Sequence, residues 1–269
     1  MNKILLFLIL FIFSFYETFS QYSENAIGAV QFSYYHVLDS LIVSDTYTAD
    51  MTLFFGKKIT LFESPTKREF DSLKKVQTIS GSLSNAVGLK PLPPRTITSL
   101  MYRLYNDNKF IIVENELKNY LMEDNLSITH WKLDKDSVKI IAGITCYKAT
   151  GNFRGRTYIV WYTPSIPISG GPWKLGGLPG LILEAYDTKR EVVFSCKAIQ
   201  HFVNPVVVTI EVPNDCIKTT ITEYNKLKEA IAIDPFTYMK NTMGITMEKP
   251  ANFRPRSTKS KNPLELTEQ

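Results

Sequence analysis

The sequence predicts a mainly β protein with a few helices, built as one strongly curved antiparallel sheet or an open half-barrel. Short runs rich in Tyr, Phe, Val and Ile recur from Ala29 to Val212, and polar turns separate them. No repeat of fixed period and no internal linker divides these runs. Roughly ten strands joined by turns make a largely antiparallel sheet, and a sheet that wide must curl or close to cover its faces.

The elements follow in order. Ala29–Leu38, Thr46–Phe55 and Lys57–Glu63 read as strands, with Gly56 allowing a tight hairpin between the last two. Ser64 suits a helix N-cap and Pro65 the first helical position, and Phe70, Leu73 and Val76 would share one face of that helix. Residues 80–94, with Gly88, Pro91, Pro93 and Pro94, read as a loop. Leu100–Tyr105 and Lys109–Val113 flank the turn Asn106-Asp107-Asn108, and Asn119–Met122, Thr129–Leu133 and Ser137–Thr150 are further β segments. Arg156–Tyr162 alternates cleanly. Leu181–Tyr186 follows a long loop, and Glu191–Phe202 returns after the polar turn Asp187–Arg190. Val206–Val212 is the last strand. Thr222 is a candidate N-cap for a short amphipathic helix, and Asp234-Pro235 opens another that Gly244 ends. The helices are expected against the concave side of the sheet or its edge.

The two ends differ from this body. Lys3, the apolar run Ile4–Phe15 and the small residues of Thr18-Phe19-Ser20 have the layout of a signal peptide cut before Gln21. The apolar run is shorter than the ~20 residues of a spanning helix. The expected organisation is therefore a signal peptide over 1–20, one β domain over 21–249 and a disordered tail over 250–269. The tail is rich in Pro and Ser and carries Arg254, Arg256, Lys259 and Lys261. The net charge of +5 is modest and partly local to this tail, so it reads as a solvated tail and not as a nucleic-acid surface. Export places Cys146, Cys196 and Cys216 in an oxidising compartment. Cys146 and Cys196 are the candidate disulfide, and three buried free thiols are the alternative.

The stretch Tyr162–Gly180 is dense in turn residues. Leu178-Pro179-Gly180-Leu181 reads as a type II turn with glycine at the position of positive φ. Gly170-Gly171-Pro172 is a second bend, and Gly176-Gly177 lets the backbone pass close to another element. Ile166, Ile168, Trp173, Leu175 and Leu178 would fill the loop from inside, as in an Ω-type element. Such a loop either plugs the open end of the curved sheet or shapes a ligand groove or partner surface. In the second case Trp161, Tyr162 and Trp173 form an aromatic wall, and Arg156 and Lys174 supply cations for an anionic group. Arg156 could instead pair with Glu184 or Asp187.

The ordered set Gly155-Arg156-Thr157-Tyr158, Trp161-Tyr162-Thr163, Ile166 to Lys174 and Gly177-Leu178-Pro179-Gly180-Leu181-Ile182-Leu183 resembles the GLPGLI family of exported Bacteroidetes proteins. Cys146-Tyr147-Lys148-Ala149-Thr150 is similar to the same pattern, and the resemblance covers about Lys139 to Asp187. It implies export to the cell envelope and a β-rich domain, with no established activity and no catalytic residues. The strand order is also similar to the open half-barrels of envelope lipoprotein carriers, which is a likeness of shape alone.

Catalytic signatures are missing. His36, His130 and His201 are far apart in sequence, and there is no zinc-protease helix, nucleophile elbow or phosphate-loop lysine. No cofactor or metal is expected. The sequence therefore favours a non-enzymatic envelope protein, periplasmic, outer-membrane-associated or secreted. It would bind an apolar or peptide-like ligand, or an outer-membrane protein partner, beside Tyr162–Gly180. A pure interaction module is the first alternative, and a hydrolase with an unrecognised site the second.

Overall fold

Alternation of side chains along the strands decides which surface of the sheet is buried. The computed structural model describes residues 22–79, 96–105, 107, 109–115, 118–125, 130–202, 208–255 and 260–266. The expected signal peptide and the 80–94 loop lie outside these residues.

Twelve strands form one sheet, and their spatial order departs from their order in the chain. It runs β14 (Cys216–Thr219), β7 (Asn119–Asn125), β6 (Lys109–Asn115), β5 (Leu100–Leu104), β4 (Ile59–Glu63), β3 (Thr46–Phe55), β2 (Gly28–Val37). It continues with β12 (Val192–His201), β11 (Leu181–Asp187), β10 (Arg156–Thr163), β9 (Ile144–Phe153) and β8 (Lys132–Ile141). Neighbours are antiparallel except β14, which runs parallel to β7, so the sheet is mixed. β1 (Ser23–Asn25) pairs with β13 (Thr209–Glu211) in a separate two-stranded sheet. The segment 137–150 is not one strand. Ala142 and Gly143 both take positive φ, 49° and 79°, and turn it into the β8–β9 hairpin. The alanine hid that turn, because hairpins of this kind usually carry Asn-Gly or Asp-Gly.

The sheet curls without closing. β7 and β10 are eight strand spacings apart in the order above, about 38 Å in a flat sheet. Yet Arg154, in the turn between β9 and β10, donates from Nη2 to Asp124 Oδ1 of β7 at 2.7 Å. Only a strongly concave sheet brings those two wings within one side chain's reach. The outer strands β8 and β14 do not pair with each other, so two edges remain.

Each face has its own core. Val30, Phe32, Met51, Leu53, Phe62, Tyr158 and Val160 line the concave side and belong to the largest buried cluster. Ile59, Leu61, Tyr102, Ile111 and Leu121 point the other way, where Ile210 and Val212 near β13 cover them. Helix α1 (Pro65–Ile79) starts at buried Ser64, and Arg68 lies 4.5 Å over the Phe54 ring. Leu73, expected on its buried face, is half exposed. Helix α2 (Ile221–Ile233) is capped by Thr220 and not by Thr222, with Glu223 completing a capping box. It packs Tyr224 and Leu227 on Phe110, Ile112, Tyr120 and Met122, which share the concave face of β6 and β7. Helix α3 (Pro235–Met243) takes Asp234 as N-cap and ends at Gly244 with φ 69°.

Candidate functional site

The concave side of the sheet is occupied by the chain's own loop, residues 164–180. Ile166, Ile168, Trp173, Leu175 and Leu178 are all buried and belong to the main core cluster. Trp173 packs edge-on against Phe153, with ring centroids 5.5 Å apart, and lies 6.4 Å from the Tyr158 ring. Ile168 N donates to Ile166 O, Gly170 N to Ile168 O and Ile182 N to Gly170 O, so the loop satisfies much of its own backbone. Arg103 of β5 reaches from the opposite wing and donates from Nη2 to Lys174 O at 3.0 Å. Trp131, just before β8, donates from Nε1 to Gly176 O at 2.8 Å. The loop is thus a plug held from both wings.

The glycines of the motif act differently from the expected turn. Leu181 N donates to Ile166 O, and Gly180 has φ 156° where the third position of a type II turn sits near +80°. A Cβ at Gly180 would lie 2.2 Å from Thr163 O, so the close approach of two backbones imposes the glycine. At Gly176 a Cβ would meet the Arg103 guanidinium at 2.7 Å, the close passage expected of that pair. Gly177 does take a left-handed φ of 86°.

The five residues expected to form a ligand surface do not converge. Tyr158, Val160 and Tyr162 face inward on β10, which places Trp161 on the convex side. There Trp161 lies 5.6 Å from Lys139 Nζ, which pairs with Glu184 at 2.7 Å. Tyr162 and Trp173 are buried in the core and present no wall to solvent.

Arg156 and Lys174 are buried and already neutralised. Arg156 donates to Asp187 Oδ2 at 2.8 Å and Glu191 Oε2 at 3.1 Å, and also to Pro263 O at 2.7 Å, Leu264 O and Asn262 Oδ1. Lys174 pairs with Asp124 at 2.5 Å and with Glu265. A buried guanidinium or ammonium persists only when carboxylates and carbonyls satisfy it. The partners outside the loop (Asp124, Asn262, Glu265) were not legible beforehand, because each lies at least 50 residues from the cation it meets.

These contacts also correct the reading of the tail. Residues 260–266, expected to be disordered, form a strap across the end of the sheet. Asn262 is buried and donates to Val37 O at 2.7 Å, Leu266 N donates to Arg154 O, and Lys261 pairs with Asp39 at 2.7 Å. Composition predicted disorder because the strap has little apolar area, and it is held instead by charge-assisted hydrogen bonds.

All three cysteines are free thiols, so the candidate Cys146–Cys196 disulfide is not formed. Cys146 on β9 and Cys196 on β12 have two strands between them, about 14 Å along the sheet, beyond the ~7 Å Cα reach of a disulfide. Burial pushes both thiols up to about 11. Of the histidines, His36 is buried. Desolvation first, and then the Arg156 charge, hold its imidazole below the usual value, against a hydrogen bond with the Asn262 backbone and the charges of Asp187 and Glu191. His130 and His201 are exposed.

A cleft of about 540 Å³ lies between β7, β14 and the start of α2. Glu123, Asp124, Arg154 and Lys218 line it together with Leu121 and Ile221, so its lining is mixed, and neither Trp161 nor Trp173 is part of it. Among the described residues no cluster of His, Cys, Asp and Glu is arranged to hold a metal ion.

Comparison with known proteins adds a family signature and a fold. A family model described as "Protein of unknown function (Porph_ging)" matches residues 152–184, inside the motif stretch. No curated protein matches the chain. Two solved structures, titled "Structure of PNGF-II in P21 space group" and "Structure of PNGF-II in C2 space group", are similar to it with a TM-score of 0.50 and 15% identity. The likeness covers 74% and 76% of this chain but 32% of each of those chains. The chain therefore spans about a third of the length of the structures it resembles, and at this identity the likeness concerns the fold.

Proposed function

We propose that this is an exported envelope protein of the GLPGLI type that works by surface contact. An outer-membrane or other envelope protein would add an extended segment to strand β8. The observation that carries this reading is a filled interior beside an unfinished edge. The plug fills the concave side against β9 and β10, which weighs against a carrier with its ligand there. β8 ends the sheet, and Leu133, Val138 and Ile140 on it are exposed. An unpaired edge strand offers a row of backbone donors and acceptors, and side-chain pockets along it supply selectivity. Lys132, Lys135 and Lys139, with a register shift between Asp134 and Val138, guard that edge against indiscriminate pairing. The stretch from Val138 to Ile141 remains regular and apolar enough to receive a partner strand.

Native mass spectrometry of the protein isolated from its own envelope tests this reading. The expected result is a chain beginning at Gln21, bound to a second polypeptide. The double variant Val138→Asp, Ile140→Asp should lose that polypeptide with its melting temperature unchanged. A lone chain carrying only a small molecule, or a partner retained by the double variant, would overturn it.

A further inference from the structure

The loop joining β2 to β3 puts its apolar residues where a soluble turn keeps polar ones. Leu41, Ile42 and Val43 are 93%, 50% and 70% exposed, three aliphatic side chains in succession. Tight turns favour Gly, Pro, Asn, Asp and Ser for conformational reasons, and β-branched residues gain nothing there. Nor is the loop loosely held. Leu38 N donates to Asp45 O, Ile42 N to Asp39 O and Asp45 N to Ile42 O, all within 2.7–2.9 Å. Buried Asp39 accepts from Leu41 N at 3.0 Å. The fold therefore holds these side chains out in water.

Basic residues flank the tip. Val37 N donates to Glu191 O, which places the exposed turn residues Lys189 and Arg190 beside the base of the loop. Lys261 of the strap pairs with Asp39 and keeps most of its surface in solvent. Asp39, Asp45, Asp187 and Glu191 are acids of the same end; Lys261 engages Asp39, and buried Arg156 engages Asp187 and Glu191.

We propose that this end of the molecule docks on an anionic lipid bilayer, with Leu41, Ile42 and Val43 entering the acyl boundary and Lys189, Arg190 and Lys261 meeting the headgroups. Size and shape select a membrane over a protein partner. A stable protein interface needs about 800 Å² per side of matched surface, which three aliphatics on a protruding tip do not offer. A bilayer surrounds a protrusion without a matching pocket. Shallow apolar insertion and a basic patch together give reversible anchoring that neither gives alone. This contact is independent of the one proposed at β8, which lies at the far edge of the sheet.

Protein purified from its native cells, mixed with phosphatidylcholine vesicles containing about one third phosphatidylglycerol, tests the assignment. Wild type should sediment with the vesicles, less so at high salt or with phosphatidylcholine alone. Leu41→Asp with Val43→Asp should lower partitioning about tenfold or more, and Lys189→Glu with Arg190→Glu should remove its salt dependence. Leu41→Trp should show a blue-shifted emission on vesicle addition. Because the tip is exposed, an unchanged circular-dichroism melt checks folding for each variant. Equal partitioning of wild type and the Leu41/Val43 double variant would overturn the proposal. So would a protein complex lost in that variant when the wild type ignores vesicles.

Discussion

The loop at 38–45 and the loop at 164–180 both place aliphatic side chains across bends, and their fates are opposite. Leu41, Ile42 and Val43 stand in solvent, whereas Leu175 and Leu178 are among the most buried side chains of the molecule. Hydrophobicity does not separate them, and neither does local order, since each loop is tied by its own backbone hydrogen bonds. They differ in what faces them. The inner loop follows β10 into the hollow made by the curled sheet and meets Phe153, Tyr158 and Arg103 there. The outer loop extends a hairpin past the end of the sheet, where Lys261 of the strap meets its base at Asp39 and Leu41, Ile42 and Val43 stay exposed. An apolar loop is thus structural or free to contact a membrane according to the surface opposite it.

Substitutions can break or sharpen this contrast. The largest effect is expected at Trp173→Ala, which removes the plug's main anchor and should cost about 3–5 kcal/mol in urea unfolding. A loss below about 1 kcal/mol would mean that the loop only rests on the sheet. Gly180→Ala comes next, at about 1–3 kcal/mol of overpacking against the Thr163 carbonyl. A melting curve that matches wild type would show that the two backbones can separate freely.

His36, beneath the strap, supplies a pH test of intermediate size. Its folded value is lowered by burial and by Arg156, so the unfolded chain binds the proton better. Stability should fall as pH drops through the ordinary imidazole value of about 6.5. Between pH 7 and 5 the melting temperature should decline less in His36→Gln than in wild type. Equal slopes would place the pH sensitivity elsewhere. The smallest effect belongs to the outer loop. Leu41→Ser should move stability by no more than about 0.5 kcal/mol, since the side chain packs on nothing. A larger loss in the melt would show that the tip is folded against the body.

Much of the local structure was legible residue by residue. Thr46–Phe55 is a strand with the boundaries its alternation predicts, and Asp234, Pro235 and Gly244 mark the last helix as their cap chemistry requires. The misses have physical causes. The Ala142-Gly143 hairpin lacks the usual turn residue, Gly180 serves a close backbone approach in place of the expected turn, and β1 and β14 are too short to carry a period. The candidate surface was misjudged for another reason. Alternation along β10 already put Trp161 and Tyr162 on opposite faces, but it could not say which face the loop would cover.

What the sequence determined by itself is the β class, most strands and helix caps, and a compact apolar loop ending in the motif at 177–183. Those properties follow from side-chain periodicity and backbone preference, which act within a few residues. Tertiary structure alone decided that Asp124 meets Arg154 and Lys174, that the tail returns to Arg156, and that the Leu41 tip is left uncovered. Each of these depends on how far the sheet curls. That curvature comes from the summed twist and packing of twelve strands, a quantity no short stretch of chain contains.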